Sequence, residues 1–186
     1  PPLRPSFPSD DQSQLRMAFD GTSVLVAWLS ATGTARPDVY VRRQSPTGEW
    51  LDATPRLVAT SGYAILVAAL PGGGFAIMHS HPNAQETFRQ DVRVSFLSTA
   101  GVLTDAAAPL VTKSDYWFGQ LFCRADECAL FGSGSFDALR AWRFSHSGAL
   151  VTSTAQPQTP ACSPSALVGD AYWCASTPAS AETGVA

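Results

Sequence analysis

Few residues in this chain combine a type and a spacing that could do chemistry. His79 and His81 flank Ser80. On a strand, residues two apart project to one face, so both imidazoles could face a common ion, as metal ligands do. No third ligand stands beside them, and His146 is distant in sequence. The competing reading is a pair of strand-end histidines leading into the polar loop 82–90. Asp126 and Glu127 are adjacent acids. At a hairpin tip they read as a solvated turn, because catalytic carboxylates need an enclosed site that shifts their pKa. Tyr116 and Trp117 stand at a strand start, where a ring could line a ligand surface. Core packing is the alternative, and most aromatic residues of 116–144 suit it. Residues 72–74, all Gly, lack the context of a phosphate loop and read as a turn. No nucleophile–base pair, metal cluster or cofactor motif emerges.

The four cysteines form two local pairs. Cys123 and Cys128 flank a turn at 124–127, and Cys162 and Cys174 flank a hairpin turning near Gly169 and Asp170. Each pair is expected to form a disulfide with Cα atoms about 4.4–6.8 Å apart, which places the chain in an oxidising compartment. A zinc site is the rival, but the spacing without a nearby His fits it poorly. Free thiols are the other reading.

The elements that must position these residues are repeated. The stretch 38–60 recurs at 91–112 and, worn, at 138–157. Aligned on Gly48, Gly101 and Gly148, the copies lie 53 and 47 residues apart, each with a Ser three places before the Gly. Alternating apolar residues before the Ser predict a strand with one face inward. Ser-x-x-Gly is turn chemistry. In the first unit the strands are expected near 15–19, 24–30, 38–44 and 56–59. Four short strands at a period of about fifty residues predict a β-propeller blade. A β-sandwich is the structural alternative; it would not require the turn to recur in register.

The expected layout is an extended N-terminal segment at 1–14, blades at 15–60, 62–113 and 115–158, a partial blade at 162–176, and a tail at 177–186. Three blades and a hairpin predict an incomplete ring. The alternative is a closed four-bladed propeller in which residues 3–7 add a strand to the last blade. The opening at Pro1 without Met suggests a processed or excised piece.

The stretch 19–28, with Phe19-Asp20-Gly21 leading into an apolar strand that ends in Trp28, resembles secreted bacterial β-propeller repeat proteins. Ser45-Pro46-Thr47-Gly48 and Leu51-Asp52 carry the same resemblance. It covers the first unit well and the second in part. It implies a propeller outside the cell and brings no catalytic residue with it. The sialidase-type Asp box is not met, since Gly48 comes one place early and no Asp lies between.

The formal net charge is −3 with 15% charged residues. No basic patch suits nucleic acid, and no apolar run approaches the roughly 18 residues that span a membrane. The leading reading is therefore a non-catalytic, secreted or cell-surface binding or scaffold module. Its partners would be a protein or glycan ligand, or further propeller blades from the same or another chain. The alternatives are a carbohydrate-active hydrolase or lyase, for which His79, His81 and Asp126 are the candidates, and a structural part of a larger assembly.

Overall fold

The Ser-x-x-Gly turn recurs atom for atom. The structure, a computed structural model, describes residues 11–31, 36–86, 89–133, 140–155, 162–168 and 171–176. In each copy the Gly N–H donates to the Ser carbonyl: Gly48 to Ser45 at 3.0 Å, Gly101 to Ser98 at 2.8 Å and Gly148 to Ser145 at 2.8 Å. The Ser hydroxyl accepts the next amide, from Glu49, Val102 and Ala149. The glycines sit at φ 93°, 79° and 81°. That left-handed region carries no Cβ penalty for Gly, and a turn followed by such a residue closes a short hairpin loop.

These turns join antiparallel strands into sheets. The first sheet runs in the order β1 (Asp11–Phe19), β2 (Val24–Ala31), β3 (Asp38–Gln44), β4 (Arg56–Ala59). The second holds β5 (Ile65–Ala69), β6 (Phe75–Pro82) and β7 (Gln90–Leu97). The outer edge of β7 pairs with β8 (Leu103–Asp105) along one half and β9 (Val111–Ser114) along the other. The third sheet runs β10 (Trp117–Cys123), β11 (Glu127–Ser133), β12 (Arg140–Ser145), β13 (Leu150–Ala155). β14 (Cys162–Val168) and β15 (Ala171–Ser176) form a two-stranded sheet. The described residues contain no helix.

β1 starts at Asp11, four residues before the apolar alternation begins at Leu15. A bulge hides the period: Ser13 pairs with Leu29 and Arg16 with Ala27, so two residues oppose Trp28, and Gln14 takes φ 52°. The polar opening of the strand is held by its backbone ladder.

Alternation along each strand serves two interfaces at once. Leu25, Ala27 and Val41 of the first sheet pack on Ile65, Phe75 and Ile77 of the second. From the opposite face of the same β6, Ala76 and Met78 pack with Leu121, Leu130 and Trp142 of the third. A sheet covered on both faces reads as an almost continuous apolar run, and β2 and β6 do.

The turn glycines are also contact points between sheets. Five residues before Gly48 and before Gly101, a side chain reaches the turn of the next sheet. Arg43 lies against Gly101, and Phe96 against Gly148. A Cβ on Gly148 would stand 2.3 Å from the Ala106 Cβ and 3.2 Å from its Cα. Gly148→Ala is therefore expected to destabilise by about 2 kcal/mol, combining left-handed strain with overpacking against backbone that cannot move. Gly21→Ala shares the positive φ but meets nothing within 4 Å. It should cost about 1 kcal/mol. Urea denaturation of both variants checks this; equal losses would refute the packing term.

Candidate functional site

The two histidines lie in contact, bonded to each other. β6 carries both, and its alternation sends them to the face that meets the first sheet. His79 Nδ1 and His81 Nε2 are 2.8 Å apart. His79 Nε2 is 2.9 Å from Ser95 Oγ on β7, and that hydroxyl donates to Asp105 Oδ1 on β8 at 2.6 Å. At the other end, His81 Nδ1 stands 3.1 Å from the Thr60 carbonyl, just past β4 of the first sheet. The chain Asp105–Ser95–His79–His81–Thr60 thus crosses three strands of one sheet and ends on its neighbour.

Proton counting fixes its sense. Ser95 spends its only proton on Asp105, so it accepts from His79 Nε2–H. His79 Nδ1 is then an acceptor and takes His81 Nε2–H. His79 is 3% exposed. Burial pushes its pKa down to about 3; the charges of His81 and Arg93 add to this, and Asp105 opposes it. It is neutral at neutral pH. Ser95 is bonded to the carboxylate, the reverse of a serine nucleophile, whose proton must go to the imidazole. Among the described residues no group of three or more His, Cys, Asp or Glu could hold a metal ion.

Beside the pair is a cavity of about 490 Å³ between the first two sheets. Leu57, Ala59 and Thr60 line one wall, and His81, Arg93 and Asp105 the other.

The aromatic pair divides. Tyr116 is buried, edge-on to the Trp142 ring at 5.1 Å between centroids. Trp117 begins β10 and is 75% exposed. β1, β5 and β10 are neighbours, so Trp117 opens the strand of its sheet that lies innermost in the array. Asp126 is exposed at the hairpin tip, with Arg124 Nε 3.5 Å from its carboxylate, while Glu127 is buried and holds Arg143 at 2.7 Å.

Cys123 and Cys128 form a disulfide. Their Cα atoms are 4.0 Å apart, closer than the expected range. They face each other directly in the register, one step inside the hydrogen-bonded pair Arg124–Glu127. Such non-hydrogen-bonded positions are the closest in an antiparallel ladder. The proposed Cys162–Cys174 bridge lies outside the described side chains. In the backbone register Cys162 faces Ser176 and Cys174 faces Pro164.

Ser95, Asp105 and the two acids Asp20 and Asp52 are absent from the candidates drawn from sequence. Asp20 and Asp52 could have been found, because both fall in the stretch that resembles propeller repeats. Asp20 Oδ2 accepts the Gly74 amide of the second sheet at 2.9 Å. Burial works to raise its pKa, but the amides of Gly74, Ser23 and Thr22, with the Thr22 hydroxyl, bring it down to about 2.

No family model and no curated protein matches the chain. Solved structures do. The β-propeller domain of the Trilobed protease from Pyrococcus furiosus matches 82% of this chain with TM-score 0.50 at 13% identity. A subtype N10 neuraminidase-like protein of A/little yellow-shouldered bat/Guatemala matches 81% with TM-score 0.51 at 10% identity. The fold is a β-propeller. Each of the three larger sheets is a blade, the first and third with the expected four strands and the second with five because β8 and β9 share the outer edge of β7; these blades and a hairpin do not close a ring among the described residues. The matched region spans about 45% of the length of either of those chains.

Proposed function

We propose that this chain is a binding or scaffold module, secreted or on the cell surface, that engages a protein or glycan ligand through loops and side chains carried on a rigid propeller body. The observation that carries this reading is the exposed Trp117 indole. The other three binding candidates are engaged elsewhere: His79 and His81 in the inter-blade chain, Tyr116 in the core. An indole offers a large rigid apolar face at low entropic cost, which suits a sugar ring or an apolar side chain. The Cys123–Cys128 disulfide is compatible with a place outside the cell.

The test is binding to glycan and peptide panels, with Trp117→Ala beside the unaltered chain. The variant should lose about tenfold or more in affinity for any ligand found, as hot-spot aromatic residues do, with its melting temperature unchanged. Binding that survives the substitution in full would refute the assignment of Trp117.

A second reading, a carbohydrate-active hydrolase or lyase, draws on the cavity where His81, Arg93 and Asp105 line one space. Turnover of a glycan by the unaltered chain, abolished in His81→Ala, would replace the first reading with this one.

A further inference from the structure

We infer that the cavity between the first two blades is a binding site for a small monocarboxylate with an apolar body. Arg93 holds the carboxylate beside a His81 imidazolium, and the body lies on Leu57 and Ala59. The site is independent of Trp117, and it requires binding only, with no bond made or broken.

Proton counting gives His81 its charge. The Thr60 carbonyl can only accept, so His81 Nδ1 carries a proton. His81 Nε2 carries another, donated to His79 Nδ1. A ring with two N–H groups is an imidazolium. Arrangements that leave His81 neutral put its second proton on His79 or on Asp105. Burial opposes a charge on His79, and a carboxylate is a weaker base than an imidazole. With both ring nitrogens spent, His81 offers the cavity a charge and no donor.

The donors come from Arg93. It stands on β7 opposite His79, so its side chain shares the face of the two histidines, and it lines the cavity. It has no hydrogen-bonded or ion-paired partner among the described residues. A guanidinium fork matches a carboxylate bidentately. The acids of the cavity are engaged elsewhere. Asp105 Oδ1 takes the Ser95 hydroxyl, and Asp91 Oδ1 takes Asn83 Nδ2–H at 2.8 Å and the Lys113 amide at 3.0 Å. They leave Arg93 open and repel a second negative charge, so a monoanion fits and a dianion does not. The facing wall is apolar, and its Leu57 is 47% exposed. A space of about 490 Å³ with an apolar wall and a few convergent polar groups has the size and make-up of a small-molecule site.

The probe is phenylacetate, followed by calorimetry at neutral pH. It should bind with Kd of about 1 mM, as a ligand of its size can. Phenylacetamide, phenethylamine and the phenyl phosphate dianion should each bind about tenfold more weakly or worse. Arg93→Gln should weaken phenylacetate binding about tenfold or more, with melting unchanged because the arginine has no partner to lose. Trp117→Ala should bind it as the unaltered chain does, which separates this site from the loop ligand. The ring 15N signals of the free protein, assigned with His81→Gln, should show two protonated nitrogens on His81 and one on His79. Absence of phenylacetate binding, equal binding of the amide or the phosphate, full binding by Arg93→Gln, or a neutral His81 ring would each overturn the inference.

Discussion

Replacing Asp52 with Ala is expected to cost about 3–5 kcal/mol, the usual loss when one partner of a buried ion pair is removed. Asp52 follows the first Ser-x-x-Gly turn and folds back under β3. Its carboxylate receives Arg43 Nη2 at 2.8 Å, Arg43 Nε at 3.1 Å and the Arg43 amide at 2.9 Å. Arg56 Nη2 adds a contact at 3.3 Å. Burial acts to raise the Asp52 pKa, and the bonds and charge of Arg43, with Arg56, outweigh it and hold the carboxyl below its ordinary value. The side chains of Arg43 and Asp52 are only 9% and 3% exposed. Removing the acid leaves a guanidinium buried between blades with the Thr99 carbonyl as its remaining partner there.

The loss should be read by chemical denaturation, with Arg43→Met/Asp52→Leu as the decisive companion. Replacing both charges by apolar groups of similar size avoids the orphaned charge, so the double variant should recover most of the stability. A single-variant loss below about 1 kcal/mol would show the pair to be solvated and behaving as a surface bridge.

Stability is expected to fall by about 2 kcal/mol between pH 8 and pH 5, and by about 3 kcal/mol by pH 4, through His79 alone. The folded pKa of His79 lies at about 3, against an ordinary value of 6.5. Between those values the unfolded chain binds a proton that the fold refuses. Stability is therefore fully present above 6.5, declines as pH falls through it, and continues to decline until about 3. Asp20, with its pKa at about 2, acts in the same direction but only below the ordinary carboxylate value of 3.8. The window from pH 8 to pH 5 thus isolates the histidine.

The measurement is urea unfolding at several pH values for the unaltered chain and His79→Gln. The variant should be less stable at pH 8, having disturbed the Asp105–Ser95–His81 chain, yet nearly flat with pH. Parallel curves for the two proteins would remove His79 as the source.

Local features were legible in the chain itself because their causes are local. Ser45, Ser98 and Ser145 with their glycines specify a turn within four residues, and the alternation around Val39 and Val41 specifies an inward face. The period of the turn then specifies the blade. Pairing of Cys123 with Cys128 across a short turn belongs to the same class. The start of β1 was not legible, since a bulge at Gln14 breaks the alternation that would have announced it.

The candidate site belongs to the other class. Sequence put His79 and His81 on one face, as a two-residue spacing must. It carried no sign that Ser95, Asp105 and the Thr60 carbonyl would complete the chain, because those partners come from three other segments: Ser95 and Asp105 arrive by strand pairing within the blade, and Thr60 only when blades stack. Tyr116 and Trp117 show the same limit in adjacent residues. Alternation requires them to point apart, but which one enters the core depends on which face of β10 the second blade covers. Arg43 and Gly101 lie 58 positions apart, and nothing local to either records the contact. Turn chemistry and strand period act along the chain, so the sequence alone determined them; desolvation and charge pairing act across it, so only the packed tertiary structure decided which polar side chains became buried links and which stayed in water.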